Sequence, residues 1–85
     1  MPVVSRFYGI VIVMYFNDHN PPHLHAKYAG EEARYDFVGA LLEGSLSKRA
    51  SKLVAEWISL HRDELEDNWD RARTGEPLRS IDPLE

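Results

Sequence analysis

The apolar residues follow two rhythms along the chain, and the change falls near residue 46. Before it they alternate or run together, as strands require. After it they return at steps of three and four, the period of a helix. Pro2 to Phe7 reads as a short edge strand, where a leading proline is tolerated. Gly9 marks a bend or bulge. Ile10-Val11-Ile12-Val13-Met14-Tyr15-Phe16 is β-branched, aromatic and unbroken, the composition of a central strand covered on both faces. Asn17 to Pro22 reads as a loop, since Asn, Asp and Pro each favour turn geometry. From His23 to Tyr28 the pattern alternates, with Leu24, Ala26 and Tyr28 on one face and His23, His25 and Lys27 on the other. A turn at Ala29-Gly30 leads into a second alternating stretch. Ala33, Tyr35 and Phe37 form its apolar face and Glu32, Arg34 and Asp36 its polar one, so the two stretches make a hairpin. Gly39 ends it, and Leu41 to Leu46 adds a short further strand.

Ser47 is placed to cap a helix, its hydroxyl accepting from an otherwise unpaired amide. From Lys48 to Arg73, the residues Ala50, Leu53, Val54, Trp57, Ile58, His61, Leu65, Trp69 and Ala72 form one amphipathic stripe. Gly75 followed by Pro77 is the stop signal. The expected architecture is α+β: a small antiparallel sheet of three to four strands (about 2–46) packed on one long C-terminal helix (about 48–73), then an extended tail. Such a helix would be about 39 Å long, whereas strands of six or seven residues reach about 20 Å. The surplus predicts an overhang, a kink, or a far half packed on a partner. A homodimer is the favoured outcome, because an exposed Trp69 would be costly. The tail carries Leu78, Ile81 and Leu84 at three-residue spacing and is expected to lie back over the core.

At 85 residues the chain is expected to hold a single domain with one core. Apolar residues at 44% and charged residues at 28% are ordinary for a globular protein and exclude a disordered one. The absence of cysteine points to a reducing compartment. The longest apolar run, Ile10 to Phe16, is far too short to span a bilayer and lacks the flanks of a signal peptide, so a cytoplasmic protein without membrane attachment is expected. The net charge of −4 does not support general binding to nucleic acid, which rests on Lys and Arg neutralising phosphate. Lys48, Arg49 and Lys52 do cluster where positive charge opposes the helix dipole. They suit either a partner's anionic surface or a solvated face with Lys52 paired to Glu56.

The chemistry concentrates in Asp18-His19-Asn20-Pro21-Pro22-His23-Leu24-His25. His23 and His25, two apart on a strand, project from one face with roughly 6–7 Å between their Cα atoms, a spacing at which two imidazoles can converge on one ion. His19 or Asp18 can supply a third ligand, and the prolines restrict the backbone between them. With Ala29-Gly30 as a two-residue turn, His25 faces Arg34 and His23 faces Asp36. A register shifted by two would put His25 opposite Asp36. Either way Asp36 is a candidate ligand, or an acceptor that fixes an imidazole tautomer. Imidazole and carboxylate donors suit zinc, nickel, manganese or ferrous iron, and an open position on such a metal could activate water for hydrolysis. Without metal, the histidines beside Asp36 could serve as general acid and base, with Arg6 and Arg34 holding a phosphate. The plain alternative is a structural loop whose rings bond to their neighbours. His61, on the apolar stripe of the helix, reads as a core or interface residue.

The segments Ser5-Arg6-Phe7-Tyr8-Gly9-Ile10 and Met14 through Ala26, with Trp57, Leu60, His61, Glu64, Leu65, Asn68 and Trp69, resemble a family of small bacterial proteins known as domain of unknown function 4160. The Asp-His-Asn-Pro-Pro-His-x-His run is the most specific part. The resemblance carries no catalytic residues. It implies pairing with a cognate small protein from a neighbouring gene, in an arrangement like a toxin–antitoxin module. Three functions are therefore expected to compete: an interaction module using the histidine loop, a metal-dependent or histidine-based nuclease or hydrolase at that loop, and a nucleic-acid-binding regulator.

Overall fold

A computed structural model describes residues 2–85. Five strands, β1 (Val3–Phe7), β2 (Ile10–Val13), β3 (His23–Tyr28), β4 (Glu31–Asp36) and β5 (Leu41–Gly44), form one antiparallel sheet in sequential order. Two helices follow, α1 (Lys48–Leu60) and α2 (Arg62–Thr74). The α+β class holds, while the expected three to four strands and single long helix do not.

The extra hairpin comes from Tyr8-Gly9. Both residues have positive φ, 51° and 82°, as do Ala29-Gly30 with the same values. Two left-handed residues in a row make the turn whose twist matches paired strands, so Gly9 closes a hairpin where a bend or bulge was expected. The apolar run leaves the sheet after Val13. Met14 is still buried, but Phe16 is exposed and Asn17 adopts a positive φ of 55°. Gly44 is required by a close approach, since a Cβ there would stand 2.3 Å from the Glu32 carbonyl oxygen.

The helical stripe breaks at His61, which ends α1 and begins α2 with φ −125° and ψ 25°. Its N–H closes on Ile58 O at 3.2 Å, and its own carbonyl accepts Leu65 N–H at 3.0 Å. Asp63 and Glu64 then sit in the first turn of α2, where negative charge favours a helix start. Each helix has 13 residues, about 20 Å, which matches the strands. The break thus absorbs the surplus length, and Trp69 is only 5% exposed within one chain. The argument from helix length to a dimer loses its basis.

Both helices cover one face of the sheet. Ile10, Ile12, Leu24, Ala26, Ala33 and Tyr35 meet Ala50, Val54, Trp57, Ile58, Leu65 and Trp69 in a continuous core. Phe7 stacks on Trp57 at 5.4 Å, and the Tyr35 hydroxyl bonds to Ser51 Oγ at 2.8 Å. Ser47 caps α1 by accepting Ala50 N–H, and Gly75 ends α2 in the left-handed conformation, both as expected. The tail crosses the core with Ile81 and Leu84 buried. Ile81 N–H bonds to Val4 O, Trp57 Nε1 donates to Asp82 O, and the buried Asn68 amide pairs with both backbone groups of Arg79. Arg62–Glu66 and Asp67–Arg71 pair as expected, but among the described residues Lys52 forms no ion pair with Glu56. Among the described residues no helix is long and apolar enough to cross a membrane.

Candidate metal centre

The opposite face of the sheet carries the polar residues of β3 and β4, and the loop of residues 14–22 folds back toward it. Met14 N–H bonds to Pro2 O and Asn17 N–H to Ala72 O, tying this loop to the first residues and to α2. It delivers Asp18 to the histidines of β3. Asp18 Oδ2 lies 2.9 Å from His23 Nε2 and 3.2 Å from His25 Nε2, and one atom from each of the three residues falls within a 4.8 Å cluster. His23 is 3% exposed and His25 8%. The rings converge, with centroids 5.1 Å apart.

The other ring nitrogens are anchored. His23 Nδ1 is 2.7 Å from Pro21 O, and a carbonyl oxygen only accepts, so Nδ1 carries the proton. His25 Nδ1 donates to Glu32 Oε2 at 3.0 Å. Each ring therefore turns Nε2 toward the same carboxylate oxygen. His23 Nε2 lacks the alignment of a hydrogen bond with Asp18 despite its 2.9 Å approach and has no other partner. His25 Nε2 meets the same Asp18 oxygen in a hydrogen bond of 3.2 Å, so a proton bridges that contact, while His23 Nε2 faces the carboxylate with none. A divalent cation held by both rings and Asp18 would take the place of that proton and satisfy His23 as well. The Asp18–histidine separations also match the edges, about 2.9–3.4 Å, of a coordination polyhedron with bonds of about 2.0–2.1 Å. Imidazoles whose second nitrogen is held by a carboxylate or a carbonyl are the usual surroundings of a metal-binding histidine.

Asp18 itself is the most perturbed acid of the cluster. Burial works to raise its pKa. The hydrogen bond from His25, the facing His23 ring and the His19 N–H outweigh that and hold the carboxyl below its ordinary value of 3.8.

Of the other residues singled out by sequence, His19 stands outside the three-residue cluster. Its side chain is 87% exposed, its N–H donates to Asp18 Oδ1 at 3.0 Å, and its ring Nδ1 lies 3.5 Å from the same oxygen. Asp36 does lie opposite His23 in register, as the two-residue turn predicts. Its carboxylate, however, accepts Val38 N–H at 3.0 Å and Ala40 N–H at 2.9 Å, which commits it to the turn before β5. Arg6 sits opposite Val11, in the row that continues to Lys27, so β2 separates it from the histidines. Arg34 faces His25 in register and pairs with Glu43. His61 lies at the helix break, bonded to Glu64 and stacked on Trp57.

Three residues of the surroundings escaped the sequence reading. Glu32 is the diagonal cross-strand neighbour of His25, two register positions from Arg34, and its membership of the polar face was the available signal. Tyr15 sets its ring edge-on to His25 at 4.7 Å, and Trp69 packs on His23 at 5.5 Å. Nothing in their spacing announced either contact.

Residues 9–70 match a family model described as Domain of unknown function (DUF4160). No curated protein and no solved structure matches the chain.

Proposed function

The chain belongs to the DUF4160 family, whose description names no activity, and from the geometry we propose that it is a small divalent-metal-binding domain. Asp18, His23 and His25 are the ligands, and Glu32 and the Pro21 carbonyl orient the imidazoles. The observation that carries this reading is the pair of Nε2 atoms turned on one carboxylate oxygen while both Nδ1 atoms are engaged elsewhere. The donor set suits zinc, nickel, manganese or ferrous iron, with no thiolate to select among them. Three protein donors leave at least one position for water or substrate, the arrangement that lowers the pKa of bound water in hydrolytic sites.

The test is elemental analysis of protein purified without chelator, followed by titration of zinc, nickel and cobalt into the stripped form. Stoichiometric binding to the wild type, lost in His23→Ala and in His25→Ala, is expected. Failure of every metal to bind would end the reading and leave an ion-pair network in its place.

A second reading makes the domain one component of a toxin–antitoxin-like pair, and the sheet's edge supports it. All four residues of β5 are exposed, and Leu41 and Leu42 stand there beside the exposed Val38. An open apolar edge strand is a place where a strand of another protein adds. Co-purification with the product of the neighbouring gene, abolished by Leu42→Lys, is the expected outcome. A wild type that captures nothing would count against it.

A further inference from the structure

A cavity of about 280 Å³ opens beside the cluster, and His23 is the only one of the three ligands in its wall. The remaining lining is His19, Asn20, Pro21, Arg34, Leu42 and Glu43. Arg34 is the cross-strand partner of His25, so its side chain rises from the same face as the imidazoles. Its guanidinium pairs with Glu43 on β5. Both side chains are substantially exposed, at 36% and 59%. An ion pair that solvent screens this well contributes little, so exchanging Glu43 for another anion costs little.

Resting on the metal-binding reading, we propose that this cavity receives a small molecule bearing a phosphate or carboxylate group. One oxygen takes the open metal position on the His23 side, and a second accepts from the Arg34 fork, which lets go of Glu43. Planar guanidinium and two-oxygen anions match in shape as well as in charge. Leu42 and Pro21 supply apolar wall for the rest of the molecule. The cavity is small, near the lower end for ligand sites, which selects against long polymers threaded through it. A neutral ligand would leave the Arg34 fork without a role, and a cationic one would meet both it and the metal.

Cobalt(II) makes the test direct, since its visible spectrum reports the number and kind of its ligands. Cobalt is first titrated into wild type, Arg34→Gln and Glu43→Gln proteins, then inorganic phosphate and acetate are added to each in separate arms. Equal cobalt affinity is expected in all three, within about twofold, because neither residue is a ligand. Saturable change of the cobalt bands by at least one anion is expected in the wild type, weakened about tenfold or more in Arg34→Gln, where the charge-assisted bond is lost, and strengthened in Glu43→Gln. Response to phosphate alone identifies a phosphorylated ligand, and response to acetate alone a carboxylate. Cobalt binding with no anion response, or with a response indifferent to Arg34, overturns this inference and leaves the metal site standing. Absence of cobalt binding overturns both.

Discussion

The two faces of β3 are built from alternate residues of one six-residue strand, and they are buried for opposite reasons. Leu24 and Ala26 face the helices, where each apolar surface meets another and the arrangement is complete without a ligand. His23 and His25 face the loop of residues 14–22, where nearly full burial goes with polar ring atoms gathered around one carboxylate. One face is closed by shape and the other by chemistry. The difference predicts that the first sets whether the chain folds and the second what the folded chain binds.

The sharpest way to separate the faces is to damage the first. Trp57 is fully buried against Phe7 and donates its indole N–H to Asp82 O. Trp57→Ala removes that packing and unfastens the tail, and should cost roughly 3–5 kcal/mol in urea unfolding. In a chain this small that is most of the stability. The result should be the same with and without metal.

The second face should respond to metal instead. Zinc or nickel at about one hundred times its dissociation constant should stabilise the wild type by about 2.7 kcal/mol, because only the folded chain assembles the site. His23→Ala and Asp18→Ala should show no such gain while still folding. Thermal melts with and without metal read this. A stabilisation equal in wild type and variants would place the metal elsewhere.

The loop-covered face also carries a pH signature, smaller than the metal effect because burial of Asp18 works against its other interactions. Its carboxyl is held below 3.8 in the folded state, so between the folded and unfolded values the unfolded chain binds the extra proton. The stability that Asp18 contributes to metal-free protein is therefore intact above pH 3.8 and is lost as pH falls through the lower, folded value. Asp18→Asn should be less stable than wild type at pH 6, and the difference should shrink toward zero in acid.

What was legible in the sequence, and what was not, follows the same division. The β3–β4 hairpin, its register, the Ser47 cap, the Gly75 stop and the docking of Ile81 and Leu84 all depend on neighbours a few residues away or on simple periodicity. The helix break was hidden because the four-residue step from Trp57 through His61 to Leu65 runs across it without Gly or Pro. Only Asp63 and Glu64 mark the new helix start. In the site, His23 and His25 were legible from strand alternation, but the choice between Asp18 and His19 depended on how the loop curls. Asp36 keeps its register opposite His23, but backbone N–H groups two and four residues on take its carboxylate, a local competition that strand alternation does not reveal. Glu32 pairs directly with Lys27 and reaches His25 only on the diagonal, a contact that register alone does not fix.

Glu32 therefore supplies the finest test of the comparison. It touches no ligand atom that would face the metal, and its carboxylate only holds His25 Nδ1–H at 3.0 Å. On a face closed by shape such a residue, about half exposed, would be almost neutral to replace. On a face closed by chemistry it fixes which nitrogen of His25 turns to the metal and adds to that nitrogen's basicity. Glu32→Gln keeps the length, and its amide oxygen can still accept the same hydrogen bond, but the charge is gone. Metal affinity should fall by about tenfold, at the low end of what such supporting residues contribute, with unfolding of the metal-free protein nearly unchanged. Glu32→Ala, which removes the acceptor altogether, should fall further. Competition against a chromophoric chelator measures both. Equal affinity in wild type, Gln and Ala variants would mean that His25 is oriented by packing against Tyr15 alone, and the loop-covered face would then differ from the helix-covered one in composition but not in kind.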